Sequence, residues 1–369
     1  MGNAATPATI PRPLFSALPT AMQKRHHYEL QFLTPAFLGN ASQQAQWRTP
    51  PIKALLRQWW RVAVAKELGY DVARLRQREA ALFGVAADEG DSRKSAIRIR
   101  LGHWDMGQLK DWPRHGTVKH REVPAPVGSD LYLGFGPLEY NKASRSTTLK
   151  NNAALQVGSN ASLSLAFPEA EAPALLQALW LMDRFGTLGG RSRNGWGSFS
   201  LKANDEKTAG VIAAVSTAPM RPWQEALKLD WPHALGSDAR GPLVWQTRPF
   251  DSWPQLMQEL ARLKIGLRTQ FTFNTGKDAP RTEDRHWLAY PVTNHSVKAW
   301  GGNARLPNTL RFKIRPAPEN PQQIIGVIFH VPCLPPPAFR PDVQAITAVW
   351  KKVHDFLDSP AQSLTRIPA

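Results

Sequence analysis

The order of periodic segments predicts an α+β chain of two tandem ferredoxin-like units, each running β-α-β-β-α-β, the second less complete. Three observations carry that expectation. The first half alternates short period-2 runs with two amphipathic helical stripes in this order. The second half shows the same order of strand and helix signals from Leu243 onward. Between them, residues 204–240 shift in composition, with scattered Pro, Asp and Gly, as a linker does.

Residues 1–24 form a Pro/Ala-rich tail, expected to be flexible. His26 to Leu33 alternates, with Tyr28, Leu30 and Phe32 on one face, a half-buried strand. Thr49 as N-cap, followed by Pro50 and Pro51, starts a helix whose apolar positions are Ile52, Leu55, Leu56, Trp59, Ala63 and Val64 and which Gly69 closes. Lys53, Arg57 and Arg61 stack along its other side at i, i+4, i+8 with no acid interleaved on the helix. Three unpaired like charges at that spacing repel, so the face is expected to meet an anion. Trp60 lies beside this stripe, either as core or as a stacking platform.

Asp71 to Phe83 is a second helix, stopped by Gly84, and Ser95 to Leu101 a strand with Ile97, Ile99 and Leu101 inward. Residues 102–153, rich in Trp, His, Pro and Gly, form an insertion expected to reach away from the domain. Ala161 to Phe167 is a strand, Ala172 to Phe185 a helix, and Gly197 to Lys202 a strand. The first domain therefore spans 25–203, an arrangement shared with RRM domains. The second spans 241–369, with strands at Leu243–Arg248, Thr309–Arg315 and Ile324–Val331, and helices at Trp253–Leu267 and Asp342–Leu357.

The stretch from Phe185 to Leu201, F-G-T-L-G-G-R-S-R-N-G-W-G-S-F-S-L, holds five of the chain's 25 glycines. Glycines admit positive φ and close backbone approach, and arginine forks suit phosphate. The order is helix, glycines, strand, with no G-K-[ST], which argues against a nucleotide-triphosphate or dinucleotide loop. A flexible basic loop lying against a polyanion is expected.

The charge balance agrees: 46 Lys+Arg against 29 Asp+Glu gives a net charge of +17. A chain this basic is expected to meet nucleic acid before any anionic membrane, because its cations are spread along the sequence. One cysteine, Cys333, excludes an intramolecular disulfide and a cysteine-based zinc cluster. With no signal-peptide pattern and no span-length apolar run, a cytoplasmic location is expected.

Three motifs resemble one family. W-R-T-P-P-I-K-A-L-L-R-Q-W-W-R, Trp47 to Arg61, resembles the R-P-P-S-I-K-G-x-L-R-x-W-W-R signature of the two-domain RAMP subunit in type III-B (Cmr) CRISPR effector complexes. T-P-A-F-L-G-N, Thr34 to Asn40, resembles its T-P-x-F-x-G-G turn, and the glycine stretch its G-x-x-G-R-R-S-R-x-G-F-G-S loop. R-H-W-L-A-Y-P-V, Arg285 to Val292, weakly resembles its R-x-A-S-P-L segment. Departures are Ala54 for Gly, Gln58 for Phe, no Ser before Ile52, Gly190-Arg191 for two arginines, and Trp196 for Phe.

The resemblance implies two ferredoxin-like RAMP domains in a subunit that contacts the 3′ part of the guide RNA and the target RNA, beside other RAMP subunits. It implies an RNA-contact set of Asn40, Arg48, Lys53, Arg57, Trp60, Arg61, Gly189, Gly190, Arg191, Arg193, Asn194 and Trp196. Base pairing would read the sequence, leaving the protein backbone and shape contacts. No catalytic set, metal pattern or cofactor motif stands out, so no chemistry and no cofactor are expected. The alternative is a metal-independent RAMP endoribonuclease that processes guide RNA, using His26 or His27; adjacent strand residues point to opposite faces, so at most one serves a given groove.

Overall fold

A computed structural model describes residues 23–86, 92–150, 153–206, 209–210 and 216–368. The chain starts with β1 (Gln23–Phe32), which buries Tyr28, Leu30 and Phe32 on one face. α1 (Thr49–Val64) and α2 (Val72–Phe83) follow. Asp71 caps α2, accepting from the amides of Ala73 and Arg74. After β2 (Arg98–Leu101) come two hairpins, β3 (Thr117–Val118) with β4 (Val127–Gly128), then α3 (Ser129–Gly134), then β5 (Leu138–Asn141) with β6 (Ser146–Leu149). β7 (Asn160–Pro168), α4 (Ala172–Phe185) and β8 (Phe199–Ala203) complete an antiparallel sheet of order β2-β7-β1-β8, on which α1 and α4 pack side by side.

A small sheet joins β9 (Met220–Pro222), β10 (Leu235–Asp238) and β11 (Gly241–Pro242), with the short α5 (Trp223–Ala226) between the first two. The second large sheet is built from β12 (Val244–Gln246), α6 (Trp253–Thr269), β13 (Leu310–Pro316), β14 (Ile324–His330), α7 (Val343–Asp358) and β15 (Thr365–Arg366). It too is antiparallel, in order β13-β14-β12-β15.

The second sheet is covered on both faces. Leu310, Phe312, Ile314 and Ile328 belong to the core beneath α6 and α7, whereas Ile325, Val327 and Phe329 belong to the core of the first half. Phe329 lies 5.0 Å from Phe185 of α4 and 6.3 Å from Trp59 of α1, centroid to centroid. The alternation of β13 therefore turns Arg311, Lys313 and Arg315 inward, and all three are buried. Lys313 is fully enclosed; its ammonium donates to the carbonyls of Gly186 and Phe199 at 2.6 Å each and lies 4.1 Å from the Phe199 ring centroid.

Several expectations are corrected by packing. The expected tail, 1–24, lies outside the described residues as far as 22, and Gln23 and Lys24 already belong to β1. Arg48, not Thr49, is the residue preceding α1, and it makes no side-chain cap; Pro50 fits the first turn because its missing N–H has no intrahelical partner there. The insertion does not reach away. It folds onto the second half, with Val118, Leu133 and Leu138 buried in the core under α6, the Thr117 carbonyl accepting from Gln258, and Glu122 paired with Arg285 at 2.5 Å.

Residues 220–240, expected as linker, carry β9, α5 and β10 and bury Trp223, Ala226, Leu227 and Leu235; residues 207–208 and 211–215 of that stretch lie outside the described residues. The fourth strand of the second sheet, β15, is two residues long and is held by Arg366, which forks onto Asp238 and Asp358 at 2.6–2.8 Å. No helix among the described residues is long and apolar enough to cross a membrane.

Lys313 yields a pH prediction. Burial, with Arg315 and Arg184 nearby and Asp183 opposing, pulls its pKa from 10.5 down to about 7. The unfolded lysine keeps its proton to its ordinary value, so between those limits the unfolded chain binds more protons and stability rises with pH, by up to about 1.4 kcal/mol per unit. Urea unfolding of wild type and Lys313→Met across that window should show the difference growing in the wild type's favour. Parallel curves would contradict the buried, deprotonating amine.

Candidate nucleic-acid interface

The cationic stripe on α1 is not unpaired. α2 crosses beside α1 and places Glu79 between Arg57 and Arg61, both of which bond its carboxylate, Arg61 Nη2 to Oε1 at 2.7 Å. The Glu79 side chain is 5% exposed, against 44% and 41% for Arg57 and Arg61. Burial alone would raise its carboxyl, but the hydrogen bonds and charges of Arg61 and Arg57 outweigh that and hold it below its usual value. Lys53 donates to the Phe83 carbonyl at the end of α2 at 2.9 Å. The expectation of an unrelieved cation row is thus corrected by a carboxylate from another helix. Part of each arginine still faces solvent.

The glycine loop is packed rather than loose. Gly189 has φ +94 and lies against the Phe37 backbone, whose carbonyl receives the Gly190 amide at 3.0 Å. Gly197 has φ +63, and a Cβ there would fall 1.8 Å from the Leu188 carbonyl oxygen, so no other residue fits. The far side of the loop pairs with the edge of the second sheet: the Phe312 amide donates to the Arg193 carbonyl at 3.0 Å and that of Ile314 to Ser198 Oγ at 2.9 Å. Asn194 bonds the Leu133 carbonyl at 2.6 Å and receives Lys264 Nζ. Asn194 thus ties together the loop, the insertion and α6.

The resemblance puts Trp60 and Trp196 in the RNA-contact set, with core as the other reading of Trp60, and both are fully buried. Trp60 packs edge-on against Phe83 at 5.5 Å. Trp196 sits among Phe37, Trp112 and Trp253 at 5.4–5.8 Å. Neither ring has a face open to a nucleobase, because the loop and α1 turn them into the two cores. Asn40 and Arg48 also work inside the fold. Asn40 accepts the amides of Ser42 and Gln44 and so closes the T-P-A-F-L-G-N turn, and Arg48 donates to the Gly39 carbonyl at 2.9 Å.

Arg191 and Arg193 are the loop's exposed cations, Arg191 at φ +54 beside Gly136 of the insertion. Arg193 and Arg61 meet in one cleft between the two halves, of about 450 Å3, together with Arg311, Gln58 and Cys333. Sequence reasoning missed Glu79 and Arg311. Glu79 was visible as a carboxylate in the arginine-rich helix, whereas the T-L-R-F-K-I-R alternation does not tell which face of its strand is covered.

The two histidines separate as strand geometry requires. His26 is buried and stacks 5.3 Å from Phe167, and burial lowers its pKa, with Asp205 opposing. His27 faces out, 2.9 Å from Ser164 Oγ.

Residues 29–200 match the model of the RAMP superfamily. The chain is similar to the CRISPR system Cmr subunit Cmr1-2 of Pyrococcus furiosus, 23% identical over 189 residues that cover 47% of this chain and 94% of that protein. Among solved structures it is similar to apo Cmr1 from Pyrococcus furiosus, with a TM-score of 0.46 and 16% identity over 93% of this chain and 98% of that one. A chain of the type III-B Cmr-beta complex bound to cognate target RNA gives a TM-score of 0.45 and 10% identity over 90% and 99%.

Burial assigns the two tryptophans to stability. Trp60→Ala and Trp196→Ala should each cost about 3–5 kcal/mol in chemical denaturation. A loss below about 1 kcal/mol in either variant would contradict an enclosed indole.

Proposed function

We propose that this chain is a non-catalytic, RNA-contacting subunit of a type III-B CRISPR ribonucleoprotein, touching the 3′ part of the guide RNA and the target RNA beside other RAMP subunits. The single observation behind the proposal is the convergence of Arg61 and Arg193 on one cleft, since it brings together the two motifs that the RAMP resemblance singles out. The similarity to a Cmr subunit supports the complex, and the net charge of +17 supports a polyanionic partner. The two sheets, each of order 2-3-1-4 in its own strands, support two ferredoxin-like domains. We place them at about 25–203 and 241–369.

A reading without chemistry is supported by His26, which is enclosed and stacked on Phe167, and by its separation from His27 across the strand. A general base must reach the 2′-OH, and an enclosed imidazole does not.

RNA binding by the full chain, measured against salt, tests the proposal. Removing one phosphate-neutralising cation from a single-stranded RNA interface flattens the log–log slope by about 0.7. Arg191→Ala/Arg193→Ala should flatten it by about 1.4 and weaken binding. Arg57→Ala/Arg61→Ala should do less, because Glu79 already offsets those charges, and Glu79→Gln should steepen the slope. An affinity for single-stranded RNA that does not change across all three variants would sink the proposed interface.

A further inference from the structure

The first sheet has one covered face and one open face. α1 and α4 pack on the covered face and stand between it and the second sheet, where Phe329 meets Phe185 and Trp59. α1 also supplies Gln58 and Arg61 to the cleft, so the cleft lies on that same side. The opposite face carries the alternate residues of each strand, and strand register sets them in rows. Arg98, Ala166 and Arg25 form one row, and Arg100, Ser164 and His27 the next. Glu29 and Lys202 stand opposite each other in the row after that.

The charge on this face is one-sided. Arg25, Arg98, Arg100 and Lys202 are exposed there against the one carboxylate of Glu29. Arg25, Arg98 and Arg100 make no ion pair among the described residues, unlike the α1 arginines, which share Glu79. Glu169, just beyond the end of β7, is taken by Lys24 at 2.9 Å. The floor between the arginines is small and polar: Ala166 and Ser164, with Ser164 Oγ 2.9 Å from His27 Nδ1. Adjacent strands stand about 4.8 Å apart, so Arg98 and Arg100 are set off from Arg25 by a shallow lane about 10 Å wide at the backbone.

The chemistry of the face selects its partner. Protein interfaces place aromatic and apolar groups at their centre and keep charge away from it. No Phe, Tyr, Trp, Leu, Ile or Val stands on this face among the described residues of the four strands. Nucleic-acid interfaces are polar and rich in cations. Single strands are held by aromatic stacking platforms as well as by charge. The one ring here, His27, is tied to Ser164. A duplex keeps its bases stacked on one another and offers phosphates and 2′-hydroxyls to a surface that has no platform.

We propose that the open face of the β2-β7-β1-β8 sheet is a second RNA surface, one that takes double-stranded RNA by its phosphates between Arg98 and Arg100 on one side and Arg25 on the other. This rests on the RNA-contacting reading above and extends it to duplex RNA and to the side of the molecule away from the cleft. Contacts of this kind position a duplex without reading its sequence.

The full chain is titrated by fluorescence anisotropy with two blunt RNA duplexes of unrelated sequence, and with one of their single strands, over a range of salt. Both duplexes should bind alike. Arg98→Gln/Arg100→Gln should weaken duplex binding and flatten its log–log salt slope by about 1.8, at roughly 0.9 for each phosphate contact on a double helix. Arg25→Gln should flatten it by about 0.9. All three positions are exposed, so the unfolding temperature should stay as in the wild type. Single-strand binding should ignore these variants and fall in Arg191→Ala/Arg193→Ala.

No duplex binding by the wild type at low salt, or the same duplex affinity and slope in the wild type and both sheet variants, overturns the surface. Single-strand binding that still falls in Arg191→Ala/Arg193→Ala then leaves the RNA-contacting reading standing. Duplex binding lost in the sheet variants, with neither RNA responding to the loop variant, overturns the interface of that reading and keeps the surface. Poly-glutamate bound more tightly than the duplex, and lost in the same sheet variants, assigns the face to an acidic protein and overturns the proposal.

Discussion

The contact on which the rest depends is the ammonium of Lys313 held between the carbonyls of Gly186 and Phe199. It comes from the edge strand of the second sheet and closes on the two ends of the glycine loop of the first half. A buried amine is tolerable only with such partners, because leaving it unanswered would cost several kcal/mol. The Phe312 amide on the Arg193 carbonyl and the Ile314 amide on Ser198 Oγ lie beside it, so the loop makes one isolated bridge to that edge. The two halves are therefore joined by polar contacts set within continuous apolar packing, with Phe329 against Phe185 and Trp59 on the same face.

This seam explains why the basic motifs sit where they do. A loop free in solvent would carry Arg191 and Arg193 on a wandering segment and lose conformational entropy when an anion ordered it. Here Gly189, Gly197 and the buried Trp196 hold the backbone, and the arginine side chains alone are left to adapt. α1 contributes differently. Its arginines are oriented by Glu79, which fixes their forks and also removes much of their net attraction for a polyanion. A positive charge with no carboxylate against it lies one layer deeper, at the buried Arg311, which lines the same cleft as the exposed Arg193.

Much of the fold was legible in sequence. The helix from Ala172 to Phe185 has the ends its periodicity sets, and Asp71 and Gly84 bracket α2 as their capping chemistry requires. The strands at Tyr28–Phe32 and Leu163–Phe167 bury the residues their alternation marks. β15 was not legible, because two residues carry no period; Arg366 between Asp238 and Asp358 holds it. The insertion was misjudged for a related reason. Its short hairpins look like a loop until Leu133 and Leu138 find the apolar face of α6.

Local sequence by itself determined the long helices, the caps of α2 and the buried face of strands such as β1 and β7, since these follow from periods of two and 3.6 residues and from side chains within a turn of the backbone. It also determined which segments carry the cations. Tertiary structure decided what those cations meet. Glu79 lies 18 residues from Arg61, and Arg311 lies 118 residues beyond Arg193, so charge pairing and charge crowding both arise from contacts between distant elements. The same holds for Trp60 and Trp196: an indole beside a basic stripe fits a stacking platform or a core, and only the second layer of packing removes it from solvent.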